Sequence, residues 1–438
     1  MKIYEHISKE LVDVSLDNKN VRMYVCGPTV YNHVHIGNIR PIITFDVLNR
    51  VLTEIGYDVK FIHNITDIDD KIIAKAAEEN KNELDVSSFY EKQYLEILDK
   101  LNIKKANMIF PKVSEHIKDI ENYVQKIIDN DFAYISNGDV YFRTSKVLNY
   151  GEISNKQIDE LEVGEKSINN SKKENEKDFV LWKETSKGLN WKTNFSVGRP
   201  GWHTECSCLI EKFFKDQCDI HGGGVDLKFP HHENENAQNI AVNNKNISRI
   251  WMHVGHLNVD NEKMSKSLGN FILAKDILNQ FDSNEIRWFF YQTNYTNPIN
   301  FTYDNLMNSK ISLDNIIKNL NTFKSYLYIN DSFNDSLKFD ISYIELLRNN
   351  FSLPNIVTFI NEKIKESNNL LRQKSFTNLN INTFNISYLL SNILGIKINN
   401  LHTEENIKLL KEWDFLKNNR DFNNADLIRN KLLEKNLI

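Results

Sequence analysis

Apolar positions near the start of the chain follow two different periods. Residues 21–26 (VRMYVC) form a short apolar run, as a buried strand requires. A loop, GPTVYNHVHIGN, comes next with Gly27, Pro28 and Gly37. Ile39, Ile42, Ile43, Val47, Leu48, Val51, Leu52 and Ile55 then recur at helical spacing, and Gly56 suits the end of that helix. Residues 59–65 (VKFIHNI) read as a second strand. Strand, helix, strand at this spacing is a βαβ unit, so a parallel sheet is expected.

The pattern changes over 105–195. Two helical stretches lead to AYISNGDVYF, where Asn137-Gly138 marks a hairpin turn, and the polar run SINNSKKENEKD reads as a loop. Residues 249–259 again have a strand pattern, with the polar loop NEKMSKSLGN behind it. Beyond about 305 the period is helical, and 404–437 reads as a helix pair. The expected organisation is a first catalytic half at 1–104, an insertion at 105–195, a second catalytic half at 196–305 and a helical region at 306–438. The fold class is α/β: a Rossmann-like parallel-sheet domain split by an insertion and followed by an α-helical bundle.

Composition narrows the class. The 438 residues are 41% hydrophobic and 26% charged, a globular balance that excludes disorder, collagen and disulfide scaffolds. No run reaches about 18 apolar residues, so no membrane span is expected. The N-terminus carries charges where a signal peptide needs its apolar run, which points to a cytoplasmic protein. The net charge of −5, from 54 basic and 59 acidic residues, does not exclude nucleic acid. A local basic face can still bind phosphates, because salt screens distant charge. The four cysteines, Cys26, Cys206, Cys208 and Cys218, are too few and scattered for a disulfide framework.

Three clusters carry chemistry. His35-Ile36-Gly37-Asn38 opens a helix, where unpaired N–H groups favour an anion. Gly37 allows close approach, and His35 and Asn38 can donate to phosphate oxygens; the bland alternative makes Asn38 a helix cap. Lys263-Met264-Ser265-Lys266-Ser267 suits a triphosphate, its ammonium groups offsetting the charge of departing pyrophosphate. A solvated basic loop is the plain alternative, but it leaves Met264 unexplained. About 225 residues apart, the two clusters together resemble the signature pair of class I aminoacyl-tRNA synthetases. In the third cluster, Pro230 suits the first turn of a helix and places His231 and Glu235 on one face. With Cys206 and Cys26 they could complete a zinc-binding Cys–Cys–His–Glu set.

YVCGPTVY, NITDIDDKI, DFVLWK, GWHTECS, IHGGGVDL, FPHHENE and EKMSKSLGN, in this order, resemble the cysteinyl-tRNA synthetase family from about residue 20 to 305, with weaker matches beyond. The resemblance implies zinc, one ion per subunit, on Cys26, Cys206, His231 and Glu235. Cys208 and Cys218 would be structural. His232 is left out of the set, since on a helix it points about 100° away from His231. Catalytic roles are implied for His35, Asn38, Lys263 and Lys266. ATP would meet His35, Gly37, Asn38, Gly222, Gly223, Asp226, Lys266 and Ser267, with Mg2+ accompanying it. Cysteine would meet Thr66, Trp202 and His221. Asp67, Asp69 and Asp70 tempt as a magnesium site, but three carboxylates opening a helix are better read as structural. The implied activity is ATP-dependent formation of cysteinyl-adenylate and transfer to tRNA(Cys), by a monomer without membrane contact.

The family's fourth signature position can be histidine, and here it is Asn38. The stretch 348–354 (RNNFSLP) and an end at Ile438 also depart from the family pattern, which bears on how the anticodon is read. Three rivals remain. A ligase joining cysteine to an amino sugar would share the catalytic half. A zinc hydrolase leaves the lysine–serine loop unexplained and lacks the second histidine at i+4. A non-catalytic RNA-binding protein has no use for an intact zinc and nucleotide site.

Overall fold

The computed structural model describes residues 1–14, 19–155, 172–264 and 269–438, and for Lys263 the backbone alone. Lys266 and Ser267, and part of the polar run at 167–178, lie outside the described residues.

Five parallel strands build the central sheet: Asn20–Val25 (β1), Asp58–His63 (β2), Met108–Ile109 (β3), Cys218–Gly224 (β4) and Ser248–Val254 (β5). Their order is β5-β4-β1-β2-β3, and every neighbouring pair is parallel. The period of two along β1 divides its residues between two cores. Val21, Met23 and Val25 pack with the long helix Ile36–Glu54 (α1), and Tyr24 packs with the helix Thr204–Phe214 (α2) on the other face. Covering both faces explains why β1 is an unbroken apolar run. The chain extends the sheet from β1 through β3, then returns to place β4 on the far side of β1. The carboxyl ends of β1 and β4 therefore flank a point of reversal, where open α/β sheets hold ligands.

A five-stranded sheet lies in the return path, with antiparallel neighbours from Ala133–Ser136 to Val197–Pro200. Its first hairpin turns at Asn137 and Gly138, with φ of 52° and 84°. Both angles are positive, as the tight turn expected from Asn-Gly demands. β3 lies just after residue 104, and the last strand but one in the order of the antiparallel sheet is Val197–Pro200.

The strand expected at 249–259 is two strands. β5 ends at Val254, and Leu257–Val259 joins a separate three-stranded sheet. The break falls at Gly255, where a Cβ would stand 2.3 Å from the Asn297 carbonyl oxygen. Arg40 of α1 fixes this corner, donating to the carbonyl oxygens of Gly255 at 2.7 Å and Asn297 at 2.8 Å. An antiparallel pairing of Lys2–Glu5 with Glu10–Asp13 also has no counterpart in the sequence reading.

The helix Tyr303–Ile329 carries the C-terminal region and packs with Leu353–Arg372 and Phe376–Tyr388. Glu404–Asn418 and Phe422–Glu434 form the expected pair around a small core of Leu410, Trp413, Ile428, Leu432 and Leu437. Among the described residues no helix is long and apolar enough to cross a membrane.

Candidate functional site

A cavity of about 440 Å³ opens at the reversal between β1 and β4. His35, Gly37 and Asn38 of the first signature cluster line its wall, and so does Met264 of the second. His35 precedes α1, and its backbone N–H donates to Asn38 Oδ1 at 3.1 Å. Asn38 thus closes the helix start as the bland alternative expected, while also lining the cavity. Ile36 donates its N–H to the Ile272 carbonyl at 3.0 Å, and Ala274 to that of Val34 at 2.9 Å. These bonds stitch the loop before α1 to the segment after the lysine–serine loop. Met264 lines the cavity, its Cε 3.5 Å from where a Gly37 Cβ would stand. The methionine that a solvated loop left unexplained is thus an apolar contact. Lys263 has its backbone in the two-residue strand Glu262–Lys263.

His35 Nδ1 is buried without a partner, and burial pulls the ring's pKa down to about 4. The ring is therefore neutral near pH 7 and retains hydrogen-bonding capacity for a ligand. Gly223 and Asp226 line the cavity. Gly222 is not among the residues that line it. Its Cβ would fall 2.1 Å from Phe45 Cζ, so here glycine serves close packing of β4 on α1. Thr66 and Trp202 line the same cavity.

At one end the expected donors converge. Ligand atoms of Cys26, Cys206, His231 and Glu235 all lie within 4.8 Å of one another. Cys26 follows β1, Cys206 sits on α2, and Glu235 sits on the helix Glu233–Asn243 (α3). His231 Nε2 stands 2.7 Å from Glu235 Oε1, the one-turn relationship expected of this pair. Cys26 Sγ donates to the same oxygen at 3.3 Å. A hydrogen bond from Cys26 draws the Cys206 thiol down to about 6 against the opposing effect of burial, and His231 adds to the pull. Burial, followed by Cys206 and Glu235, drives the Cys26 thiol upward. Burial opposes charge on Glu235, but His231 and His221 outweigh it and hold the carboxyl well below its ordinary range. Two thiols, an imidazole and a carboxylate with convergent atoms fit zinc by softness and number.

Two histidines depart from the sequence reading. His221 is fully buried and outside the cavity lining. Its Nε2 faces Glu235 Oε2 at 2.5 Å and its Nδ1 faces the Tyr24 carbonyl at 3.1 Å. His232 is not turned away: its Nε2 lies 3.6 Å from Cys26 Sγ. The cause is local, because residues 228–232 do not follow a regular α-helix and Phe229 is extended at φ −137°. Cys26, His221, His232 and Glu235 consequently form a second convergent group. Only Cys26 of that group lines the cavity, whereas Cys26, Cys206 and His231 of the first all do.

Sequence reasoning missed His203, whose Nδ1 meets His231 Nδ1 at 3.0 Å and so orients that ring. Its signal was its place in GWHTECS, between two residues already singled out. Cys208 and Cys218 are buried and belong to neither convergent donor group, and Cys218 Sγ donates to the Ile247 carbonyl at 3.3 Å. The three carboxylates at the start of the helix Asp70–Glu79 have structural partners. Asp67 accepts from Ser114, Asp69 caps the helix through the Lys71 N–H at 2.7 Å, and Asp70 pairs with Lys183 and Arg199.

Residues 12–311 match the family model described as the tRNA synthetases class I (C) catalytic domain. The chain is 64% identical to the cysteine--tRNA ligase of Malacoplasma penetrans (strain HF-2) over 439 residues, covering 100% of each. It is 44% identical to the cysteine--tRNA ligase of Ureaplasma parvum serovar 3, covering 99% of each. Among solved structures it resembles a methionyl-tRNA synthetase of Mycobacterium tuberculosis bound to methionyl-adenylate. The TM-score is 0.65 at 13% identity, over 86% of this chain and 92% of that one, a likeness of fold.

Proposed function

The chain belongs to the cysteine--tRNA ligases of the class I tRNA synthetases, and from that premise we propose how its cavity selects and activates cysteine. The cysteine carboxylate attacks the α-phosphate of ATP, pyrophosphate leaves, and cysteinyl-adenylate forms. The terminal ribose hydroxyl of tRNA(Cys) then takes the cysteinyl group, and AMP departs.

Selection has to separate a thiol from a hydroxyl. A shape-matched pocket gives only about 1–3 kcal/mol for so small a change. Zinc on Cys26, Cys206, His231 and Glu235 would favour the soft thiolate of cysteine over a serine hydroxyl that does not ionise near neutral pH. The observation that carries this reading is that three of the four donors line the cavity with Glu235 behind them. His203 and His221 orient His231 and Glu235 from the buried side. Trp202, its ring centroid 4.9 Å from that of His231, walls the thiol end, and Thr66 borders it.

The remaining residues position charge. His35, the Asn38 amide and the close approach permitted by Gly37 receive phosphate oxygens. Gly223 and Asp226 receive the adenosine. Lys263, Lys266 and Ser267 stabilise pyrophosphate as it leaves, and Mg2+ accompanies the nucleotide. The helical region 306–438 serves the tRNA.

Aminoacylation of total tRNA with labelled cysteine, with serine as the control, tests the reading. Metal content is measured on the same preparation. Metal-free protein that still prefers cysteine would sink the zinc mechanism.

A further inference from the structure

Lys71 also lines the cavity and has no assigned part in the reaction. Its Nζ lies 5.7 Å from the ring centroid of Tyr31 and 5.7 Å from that of Trp202, between two aromatic walls. Such faces attract an ammonium group and hold its stem in place while leaving its hydrogens to donate. The nearby carboxylates are engaged elsewhere: Asp67 with Ser114, Asp69 with the Lys71 backbone N–H, Asp70 with Lys183 and Arg199. Asp69 feels the Lys71 charge, but no carboxylate among the described residues forms an ion pair with it. Lys71 is also the only lysine or arginine among the described residues that line the cavity.

Trp202 links this cation to the thiol end. The indole faces His231 at 4.9 Å between centroids and Lys71 Nζ at 5.7 Å. In cysteine the sulfur and the carboxyl carbon are three bonds apart, roughly 4 Å. Both groups thus border the same indole, and a cysteine lying against Trp202 would have its two ends near them.

We propose that the Lys71 ammonium receives the α-carboxylate of the bound cysteine and steers it toward the α-phosphate. This rests on the reading that the thiol lies at the Cys26–Cys206–His231 end. The carboxylate must approach an anionic phosphate, and a fixed cation beside it reduces that repulsion without forming a bond. Lys71 is thus a specificity residue for the acid end of the amino acid, as the metal donors are for the thiol end.

The test compares cysteine with cysteamine, which keeps the thiol and amine but lacks the carboxylate. Equilibrium binding of both is measured on metal-loaded wild-type protein, Lys71→Gln and Lys71→Arg, together with KM values for ATP and tRNA. Lys71→Gln should weaken cysteine about tenfold to a hundredfold, the loss of one charge-assisted hydrogen bond. Cysteamine binding should stay within a factor of about two, as for an exposed substitution that removes no contact. Lys71→Arg should recover most of the cysteine affinity. Equal weakening of both ligands would overturn the assignment. So would unchanged cysteine binding with a raised KM for tRNA, which would give the cation to the acceptor's terminal phosphate. Wild-type protein that binds cysteamine no better than ethanolamine would overturn the thiolate reading and remove the basis for the placement of Lys71.

Discussion

Arg287 Nη2 stands 2.5 Å from Asp46 Oδ2, and neither side chain is exposed. The pair joins α1, whose first turn borders the cavity, to the helix Ser283–Tyr291 that precedes the C-terminal region. Further bonds from Arg287 to the Leu101 and Leu394 carbonyls extend the joint to two more segments. Breaking a buried pair costs about 3–5 kcal/mol, and at most that here, because Asp46 keeps Arg50 at 2.9 Å. Arg287→Met should show that loss in urea unfolding. Lys411→Met, which removes an exposed pair with Asp331, should cost below about 1 kcal/mol. Equal losses would show that the buried joint has no special weight.

Adjacent glycines on β4 should separate packing from binding. A Gly222→Ala methyl would meet Phe45 Cζ at 2.1 Å and the Met252 carbonyl oxygen at 2.5 Å, inside a sheet–helix contact that cannot easily yield. Overpacking of this kind costs about 1–3 kcal/mol, so the thermal midpoint should fall. A Gly223→Ala methyl would meet Leu227 Cδ1 at 2.8 Å, the mobile end of a side chain on the cavity wall. That variant should keep its midpoint and show a raised KM for ATP in pyrophosphate exchange. The reverse pattern would exchange the two roles.

Cys206→Ser replaces a soft donor with a hard one that stays protonated. Metal content should drop below one ion per chain, and discrimination of cysteine from serine should fall with it. Elemental analysis and paired aminoacylation assays give both quantities. Full metal occupancy with full discrimination would remove Cys206 from the donor set.

Acid should destabilise the protein through its buried imidazoles. His63 is boxed in by the Val25 carbonyl at 2.9 Å and the Tyr94 hydroxyl at 2.7 Å, and burial lowers its pKa to about 4. In the unfolded chain it takes up a proton near 6.5, as model histidines do. Between about pH 6.5 and 4 the unfolded state binds a proton that the native state refuses. Stability therefore falls as pH drops through that window, by about 3 kcal/mol at most for this one group. His6 and His402, also lowered to about 4, add to the same slope. The urea midpoint should decline across the window, and His63→Gln should flatten the decline. An unchanged slope would show that His63 does not contribute.

The last helix pair should matter for the tRNA more than for the adenylate. Deletion from Glu404 removes a cluster seated on Tyr326 and Ile329, together with the bond from Ser325 Oγ to the Leu437 carbonyl at 2.6 Å. Pyrophosphate exchange should persist while aminoacylation falls. Arg420, Arg429, Lys431 and Lys435 leave with the pair, so the salt dependence of tRNA binding should flatten. Unchanged aminoacylation in a folded truncation would reduce the pair to a cap on the bundle.

Local pattern made much of this legible. β1, α1 and β2 follow from apolar spacing, and the Asn137-Gly138 turn from its demand for positive φ. The grouping of Cys26, Cys206, His231 and Glu235 came from the resemblance to a family with these motifs in fixed order, since residues so scattered do not announce a common site by local pattern. Long-range packing was not legible. Nothing around His221 or His232 indicates which ring faces Glu235 and which faces Cys26, since the irregular turn at 228–232 decides it. The break at Gly255 depends on a carbonyl from Asn297. The two-residue strand Met108–Ile109 exists only because β2 offers it an edge. The charge of Lys71 was lost among neighbouring acids until the partners of those acids were known.

The reversal between β1 and β4 also sets an order in time. Ribosomes deliver Cys26 early, yet its three fellow donors arrive only after the whole antiparallel sheet has emerged. A nascent chain broken off before Glu235 would therefore carry thiols with no complete donor set to join, and on the proposed zinc reading metal loading would mark a chain whose synthesis has passed the return strand.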